Sequence, residues 1–155
     1  MIKLKKFAAF IFLLSSFTYI AINNSSNKSH STYWYENLEQ AANVAKSQGK
    51  CILIDFTGSD WCKWCKKLDG EVLSQSKFIQ YAKNNLVLVK IDFPQYKMQS
   101  QEVKTYNKRL AATFNVKGYP TVVIMNRYQQ VVAYTGYREG GAEKYVQYIK
   151  SVLNK

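Results

Sequence analysis

The sequence predicts one α/β domain, a mixed, mostly parallel central sheet flanked by helices. Three observations carry that expectation. Two nearly continuous apolar runs, Cys51–Thr57 (CILIDFT) and Leu86–Asp92 (LVLVKID), have the length and β-branched content of strands covered on both faces. Segments with apolar residues at helical spacing precede, separate and follow them. Two shorter runs, Thr121–Met125 and Val131–Tyr134, are joined by a polar turn around Asn126 and Arg127, as in a hairpin. Strands linked through helices are expected to run parallel, and the last two antiparallel.

The elements follow in chain order. Trp34 to Ser47 reads as an amphipathic helix with Leu38, Ala41, Ala42 and Ala45 on one face and Gly49 past its end. After the first strand, Gly58-Ser59-Asp60 breaks the run and offers an N-cap to a helix from about Trp61. That helix is expected to be irregular near Gly70, with a second helical piece over Ser76–Asn84. The second strand is stopped by Phe93-Pro94. Ser100–Phe114 is helical, with Leu110 and Phe114 on one face and Val103 and Tyr106 adjoining. Tyr145–Leu153 closes the chain as a helix with Val146, Ile149 and Leu153 facing inward. There is no internal repeat and no second domain.

The first thirty-odd residues read as addressing rather than fold. A start with three Lys and no acid leads into sixteen uncharged residues, Phe7 to Ile22 (FAAFIFLLSSFTYIAI). That is the pattern of an export signal, over residues 1–22, either cleaved or kept as an N-terminal anchor. Asn23–Thr32 is polar and Ser/Asn-rich, a linker that carries His30, and the domain occupies 33–155. The expected location is the periplasm or the exterior, with an inner-membrane tether through residues 7–22 if the signal stays.

Composition narrows the function classes. The chain has 155 residues, 47% hydrophobic and 15% aromatic, enough for a real core and against global disorder. Its formal net charge is +12, but the basic residues are 19 Lys and 3 Arg. Nucleic-acid readers rely on Arg for bidentate contacts, so no nucleic-acid partner is expected. A solvated Lys-rich surface or attraction to acidic partners accounts for the charge. Three Cys and one His favour thiol chemistry over metal chemistry.

That chemistry centres on Cys62-Lys63-Trp64-Cys65. Two Cys at i and i+3 at a helix start share a face with Cβ atoms about 5–6 Å apart, within reach of a disulfide. Unpaired backbone N–H groups and the helix dipole stabilise a thiolate at the first, and Lys63, Lys66 and Lys67 add positive charge. Cys62 can then attack a substrate disulfide and Cys65 resolve the mixed disulfide. Other uses of the motif are disfavoured. A zinc site lacks a second CxxC and a His ligand, and copper delivery lacks a nearby His. A merely structural disulfide would close too small a loop to stabilise much. No metal and no cofactor beyond the Cys62–Cys65 pair is called for.

Ile52–Cys65 (ILIDFTGSDWCKWC) and Phe114–Ile124 (FNVKGYPTVVI) resemble the thioredoxin family, and the resemblance covers roughly Trp34 to Leu153. The family's Trp-Cys-x-x-Cys is Trp61-Cys62-Lys63-Trp64-Cys65, and its Gly-x-Pro-Thr loop is Gly118-Tyr119-Pro120-Thr121. The resemblance implies the thioredoxin fold, a cis Pro120 facing the disulfide, and a Tyr119 backbone that receives a substrate chain as an added strand. It also matches Asp55 to the family's strand acid and Gly136 to the residue after the last strand. An acid in an apolar strand should have a raised pKa and could accept the Cys65 proton. Alternatively, Asp55 sits at the strand end and satisfies loop N–H groups.

Several features depart from the family pattern. Lys-Trp replaces Gly-Pro between the cysteines, one extra residue separates strand and motif, and Phe93–Gln101 is longer. The family's buried Lys has no secure counterpart, since Lys90 is one register away and is not assigned that role. With the export signal, the whole looks like exported bacterial thioredoxin-like disulfide reductases, the chlamydial type among them. The implied partners are protein or peptide disulfides and an unidentified membrane or periplasmic electron donor.

Other readings of the same residues stand beside this one. The chain could be a disulfide oxidant or isomerase, or a tethered interaction module with a quiescent disulfide. Trp64 is either a solvent-facing docking platform or packed on the domain surface. Trp61 packs beside the site. Cys51 is a buried structural thiol, a third redox thiol or the partner in an intermolecular disulfide.

Overall fold

The computed structural model describes residues 34–154. The export segment, the linker and His30 lie outside the described residues. Five strands form one sheet in the order β1-β3-β2-β4-β5. They are β1 (Trp34–Tyr35), β2 (Cys51–Thr57), β3 (Leu86–Asp92), β4 (Thr121–Met125) and β5 (Val131–Thr135). The helices are α1 (Leu38–Gln48), α2 (Lys63–Leu68), α3 (Ser76–Asn85), α4 (Gln101–Thr113) and α5 (Gly141–Leu153).

The two apolar runs are the central strands β2 and β3, paired in parallel over their whole length, and period-2 alternation sorts their side chains. Ile52, Ile54 and Phe56 with Val87, Val89 and Ile91 face a layer containing Ala41 and Ala45 of α1 and Leu110 of α4. Leu53, Leu86 and Leu88 face the opposite layer, with Leu68 of α2, Phe78 of α3 and Tyr145 and Ile149 of α5. The sheet is therefore covered on both sides, as its unbroken apolar strands require. Asp55 and Lys90 belong by alternation to the α2/α3/α5 face, and they are register partners across β2 and β3.

Four expectations are corrected. Trp34 does not start a helix: with Tyr35 it forms β1, parallel to β3, and α1 begins only at Leu38 behind the Asn37 cap. A two-residue strand is too short to leave a periodic signal. Asp60 does not cap α2. Cys62 does, its sulfur accepting from the Cys65 N–H. Strand β4 is antiparallel to β2 despite the helix before it. Helix α4 ends with Phe114 against Phe56, ring centroids 5.8 Å apart, returning the chain to the end of the sheet where β2 finishes. Finally, α5 begins at Gly141, four residues before the predicted start, because Gly140 in the left-handed region forms its cap.

The expected irregularity near Gly70 is a π-helical turn over Asp69–Leu73. Its carbonyls are taken up locally: Ser74 Oγ donates to Asp69 O at 2.8 Å, and Gln75 Nε2 donates to Gly70 O. On α4, Asn107 is buried one turn before Leu110, and Val103 is exposed. Asn107 Nδ2 donates to Asp92 O at 2.8 Å, satisfying a carbonyl at the end of β3.

Candidate active site

The C-terminal end of β2 delivers the motif. Gly58 turns the chain, and its carbonyl accepts from the Cys62 N–H at 2.9 Å. A Cβ at Gly58 would fall 2.5 Å from the Trp61 ring, so the indole can lie over the turn only because this residue is glycine. Cys62 and Cys65 form a disulfide with Cα atoms 5.2 Å apart. Both are buried, Cys62 6% and Cys65 4% exposed. Each sulfur faces a backbone donor: Cys65 N–H to Cys62 Sγ at 3.2 Å, and Gly58 N–H to Cys65 Sγ at 3.5 Å. Such donors favour a thiolate once the bond is reduced. The first turn of α2 carries no acid to oppose this.

Behind Cys65 lies a pocket of about 180 Å³ whose walls include Asp55, Ser59, Cys65, Lys66, Asp69 and Lys90. Asp55 is 3% exposed and its Oδ1 has no hydrogen-bond partner. The alternative in which Asp55 satisfies loop N–H groups is thus not what the structure shows. Burial pushes its carboxyl up to about 7, against the opposing charge of Lys90. Lys90 is the position that sequence comparison with the family set aside. It nevertheless sits directly across the ladder from Asp55, as its register partner on the same face of the sheet.

A second cluster forms around the loop before β4, beside Trp61 of the motif. The Tyr119–Pro120 peptide bond is cis. Tyr119 stacks on Phe93 at 5.0 Å and meets Trp61 edge-on at 6.0 Å. Trp61 is 37% exposed, with its indole Nε1 donating to Phe93 O at 2.8 Å. Gly136 passes so close beneath this loop that a Cβ there would lie 2.9 Å from Pro120 O.

Trp64 combines features of both readings offered for it. It is 51% exposed, yet its ring lies 5.5 Å from Tyr137, with the Lys67 ammonium over both rings. Lys63, the first residue of α2, is exposed.

The structure adds residues that sequence reasoning missed. Asp60 accepts backbone N–H groups from Gln95, Tyr96 and Lys97 at 2.8–3.0 Å and so organises the long loop after β3. Asp92 accepts from Ser59 N–H and Oγ, joining the ends of β2 and β3. A lone acid in a turn or at a strand end carries no sequence signal for partners more than thirty residues away. Cys51 lies at the opposite end of β2 from the motif, half-buried, its thiol pushed up by burial.

Comparison with known proteins agrees with this geometry. Residues 38–153 match the thioredoxin-like domain family. The chain is similar to the disulfide bond reductase DsbH of Chlamydia pneumoniae, 36% identical over 119 residues, covering 77% of this chain and 72% of that protein. It is also similar to the thiol:disulfide interchange protein DsbD of Campylobacter jejuni, 31% identical over 114 residues, which are 73% of this chain and only 18% of DsbD. A solved DsbH oxidoreductase structure superposes with a TM-score of 0.74 at 35% identity, over 80% of this chain and 86% of that one. The chain belongs to the thioredoxin-like domain family and is a thiol–disulfide oxidoreductase.

Proposed function

We propose that this protein is exported and reduces protein disulfides by dithiol exchange. One observation carries the mechanism: the Cys62–Cys65 pair sits at a helix start, with Cys65 backed by a buried, unpartnered Asp55. In its reduced form, the Cys62 thiolate attacks a substrate disulfide. One substrate thiolate leaves and a mixed disulfide with Cys62 remains. Cys65 then gives its proton to Asp55 and attacks the Cys62 sulfur. The second substrate thiolate departs, and the Cys62–Cys65 bond re-forms with two electrons transferred to the substrate. Lys63 and the α2 N-terminus stabilise the attacking thiolate.

Tyr119 and Pro120 form the rim on which an extended substrate chain docks. The N–H and C=O of Tyr119 have no hydrogen-bond partner among the described residues and are available to such a chain. Trp61 and Trp64 flank that rim. The pair is its own redox centre, and a membrane or periplasmic dithiol donor would regenerate it.

The reductive direction is supported by the similarity to a protein named a disulfide bond reductase. Export is supported by residues 1–22, which would act as a signal or as a tether. No helix among the described residues is long and apolar enough to cross a membrane.

The deciding experiment is the equilibrium potential of the Cys62–Cys65 pair, with Cys51→Ser to remove the odd thiol. A reductase is expected near about −270 mV, as for thioredoxin. A value between about −180 and −120 mV, the range of isomerases and oxidants, would overturn the proposed direction. One feature favours that second reading: helix α2 has no acid in its first turn and Lys63 at its start. Both stabilise thiolate over disulfide.

A further inference from the structure

The two ends of the sheet differ in charge. Strand β2 starts at Cys51, in register with Leu86 at the start of β3, and β4 ends at Met125 opposite Ile52. The end away from the disulfide is therefore built from the α1–β2 connection, the α3–β3 junction, the β4–β5 turn and the last turn of α5, which packs on α3. The seven residues of β2 separate it from the motif by about 20 Å.

Five cations gather at this end. Lys46, Lys83, Arg127 and Lys150 are exposed, and Lys50 is half-buried. Lys50 Nζ donates to Lys83 O at 2.8 Å, the Cys51 thiol feels the Arg127 charge, and the Lys150 ammonium lies over the Tyr81 ring. The stretches 44–52, 80–87, 124–132 and 146–154 contain no Asp or Glu, so all ten acids of the chain lie elsewhere. Three of the lysines close α1, α3 and α5, where a cation suits the negative end of the helix dipole. That preference accounts neither for Lys50 and Arg127, which lie outside helices, nor for the missing acids. Between the last turn of α1 and the β4–β5 turn, Lys46, Arg127, Tyr128 and Gln129 line an open cleft of about 390 Å³. Tyr128 is 77% exposed, and a phenol ring with an apolar body and a polar tip suits a lipid–water boundary.

We infer that this acid-free end docks on an anionic phospholipid surface, with a phosphate headgroup seated between Lys46 and Arg127. Cations spread over the ends of four segments match a sheet of negative headgroups, and each adds to the attraction. Docked in this way, the domain points the disulfide away from the lipid, toward substrates in solution. The direction of β1 agrees: parallel to β3, it carries the entering chain toward the disulfide end. The inference takes its setting from the proposed export and owes nothing to the exchange chemistry.

The test is hydrogen exchange in the full-length oxidised protein, mixed with vesicles of phosphatidylcholine alone or of phosphatidylcholine with phosphatidylglycerol. The anionic vesicles should slow exchange in the β4–β5 turn and the α1–β2 connection and leave the motif unchanged. Each neutralised cation should cut the docked-to-free ratio about fivefold. Lys83→Gln with Arg127→Gln should thus cut it roughly twenty-five-fold, and Lys77→Gln with Lys104→Gln, the same loss of charge elsewhere, far less. Salt at about 1 M, where the Debye length is about 3 Å, should abolish the protection. Protection that is equal on neutral vesicles, or that survives salt, would mean that residues 7–22 alone hold the chain, and would overturn the inference. Equal protection by soluble poly-glutamate would overturn it in favour of an acidic polypeptide partner. Lipid composition and salt are read on the wild type, so the outcome does not hang on the folding of a variant. Insulin reduction in solution should be unchanged in Lys83→Gln with Arg127→Gln. A wild type inert toward insulin would refute the proposed reduction and leave the lipid result standing.

Discussion

At the residue scale the two cysteines differ in what surrounds them rather than in how deeply they are buried. Cys62 caps α2 next to Trp61, whose ring meets Tyr119 edge-on, whereas Cys65 lies one turn in, lining the pocket with Asp55. Changing Cys65 to Ser should therefore leave Cys62 able to attack but with no thiol to resolve the product. Mixed disulfides with substrate should accumulate and be visible on non-reducing gels, and multiple-turnover reduction should be lost. Efficient turnover by Cys65→Ser would show that resolution does not depend on this thiol. Cys62, Cys65, Pro120 and Asp55 were legible in the chain because each sits within a short motif or an apolar strand. Lys90 was not, because its relation to Asp55 exists only across the ladder between β2 and β3.

At the element scale, the site depends on close approach between segments far apart in sequence. Gly136, just after β5, lets the chain pass under the Pro120 carbonyl. A methyl group there should force the loop away and destabilise the fold by about 1–3 kcal/mol. Denaturant titration of Gly136→Ala measures this, and a stability equal to wild type would refute the contact. Asp60 holds the loop after β3 by three backbone N–H groups, and that loop presents Tyr96 and Met98 to solvent at 78% and 94% exposure. Asp60→Ala should speed amide exchange at Gln95–Lys97 without affecting β2 and β3, as read by hydrogen exchange. Unchanged protection would mean that the loop is held by other contacts. Strands β2, β3 and β4 were readable to within a residue because double-sided burial produces an unbroken apolar run. The short edge strand β1 and the orientation of β4 were not, since one is too brief to show a period and the other is decided by where α4 sets down the chain.

At the scale of the whole molecule, the buried acid makes stability depend on pH. Asp55 holds its proton to about pH 7 in the folded state, against 3.8 as a free side chain. Proton binding at Asp55 therefore favours the folded state fully below about pH 4, and that contribution is lost as pH rises to about 7. At roughly 1.4 kcal/mol per unit, the loss approaches about 4 kcal/mol. Asp55→Asn, which carries no charge, should gain stability over the wild type as pH rises from 4.5 to 8.5, measured by denaturant titration at each pH. A constant difference would show that Asp55 does not titrate with folding.

The sequence by itself determined the α/β class, the helix-borne Cys62–Cys65 pair, the Pro120 loop and the kinship these imply, because apolar periodicity and short motifs are local properties of a chain. Tertiary structure alone decided that Lys90 and Asp69 face Asp55, that Asp60 ties down a loop thirty-five residues away, and that β4 runs against β2. Each of these is a through-space relation between charges or backbone groups. Its energy comes from burial and alignment that exist only once the sheet is assembled.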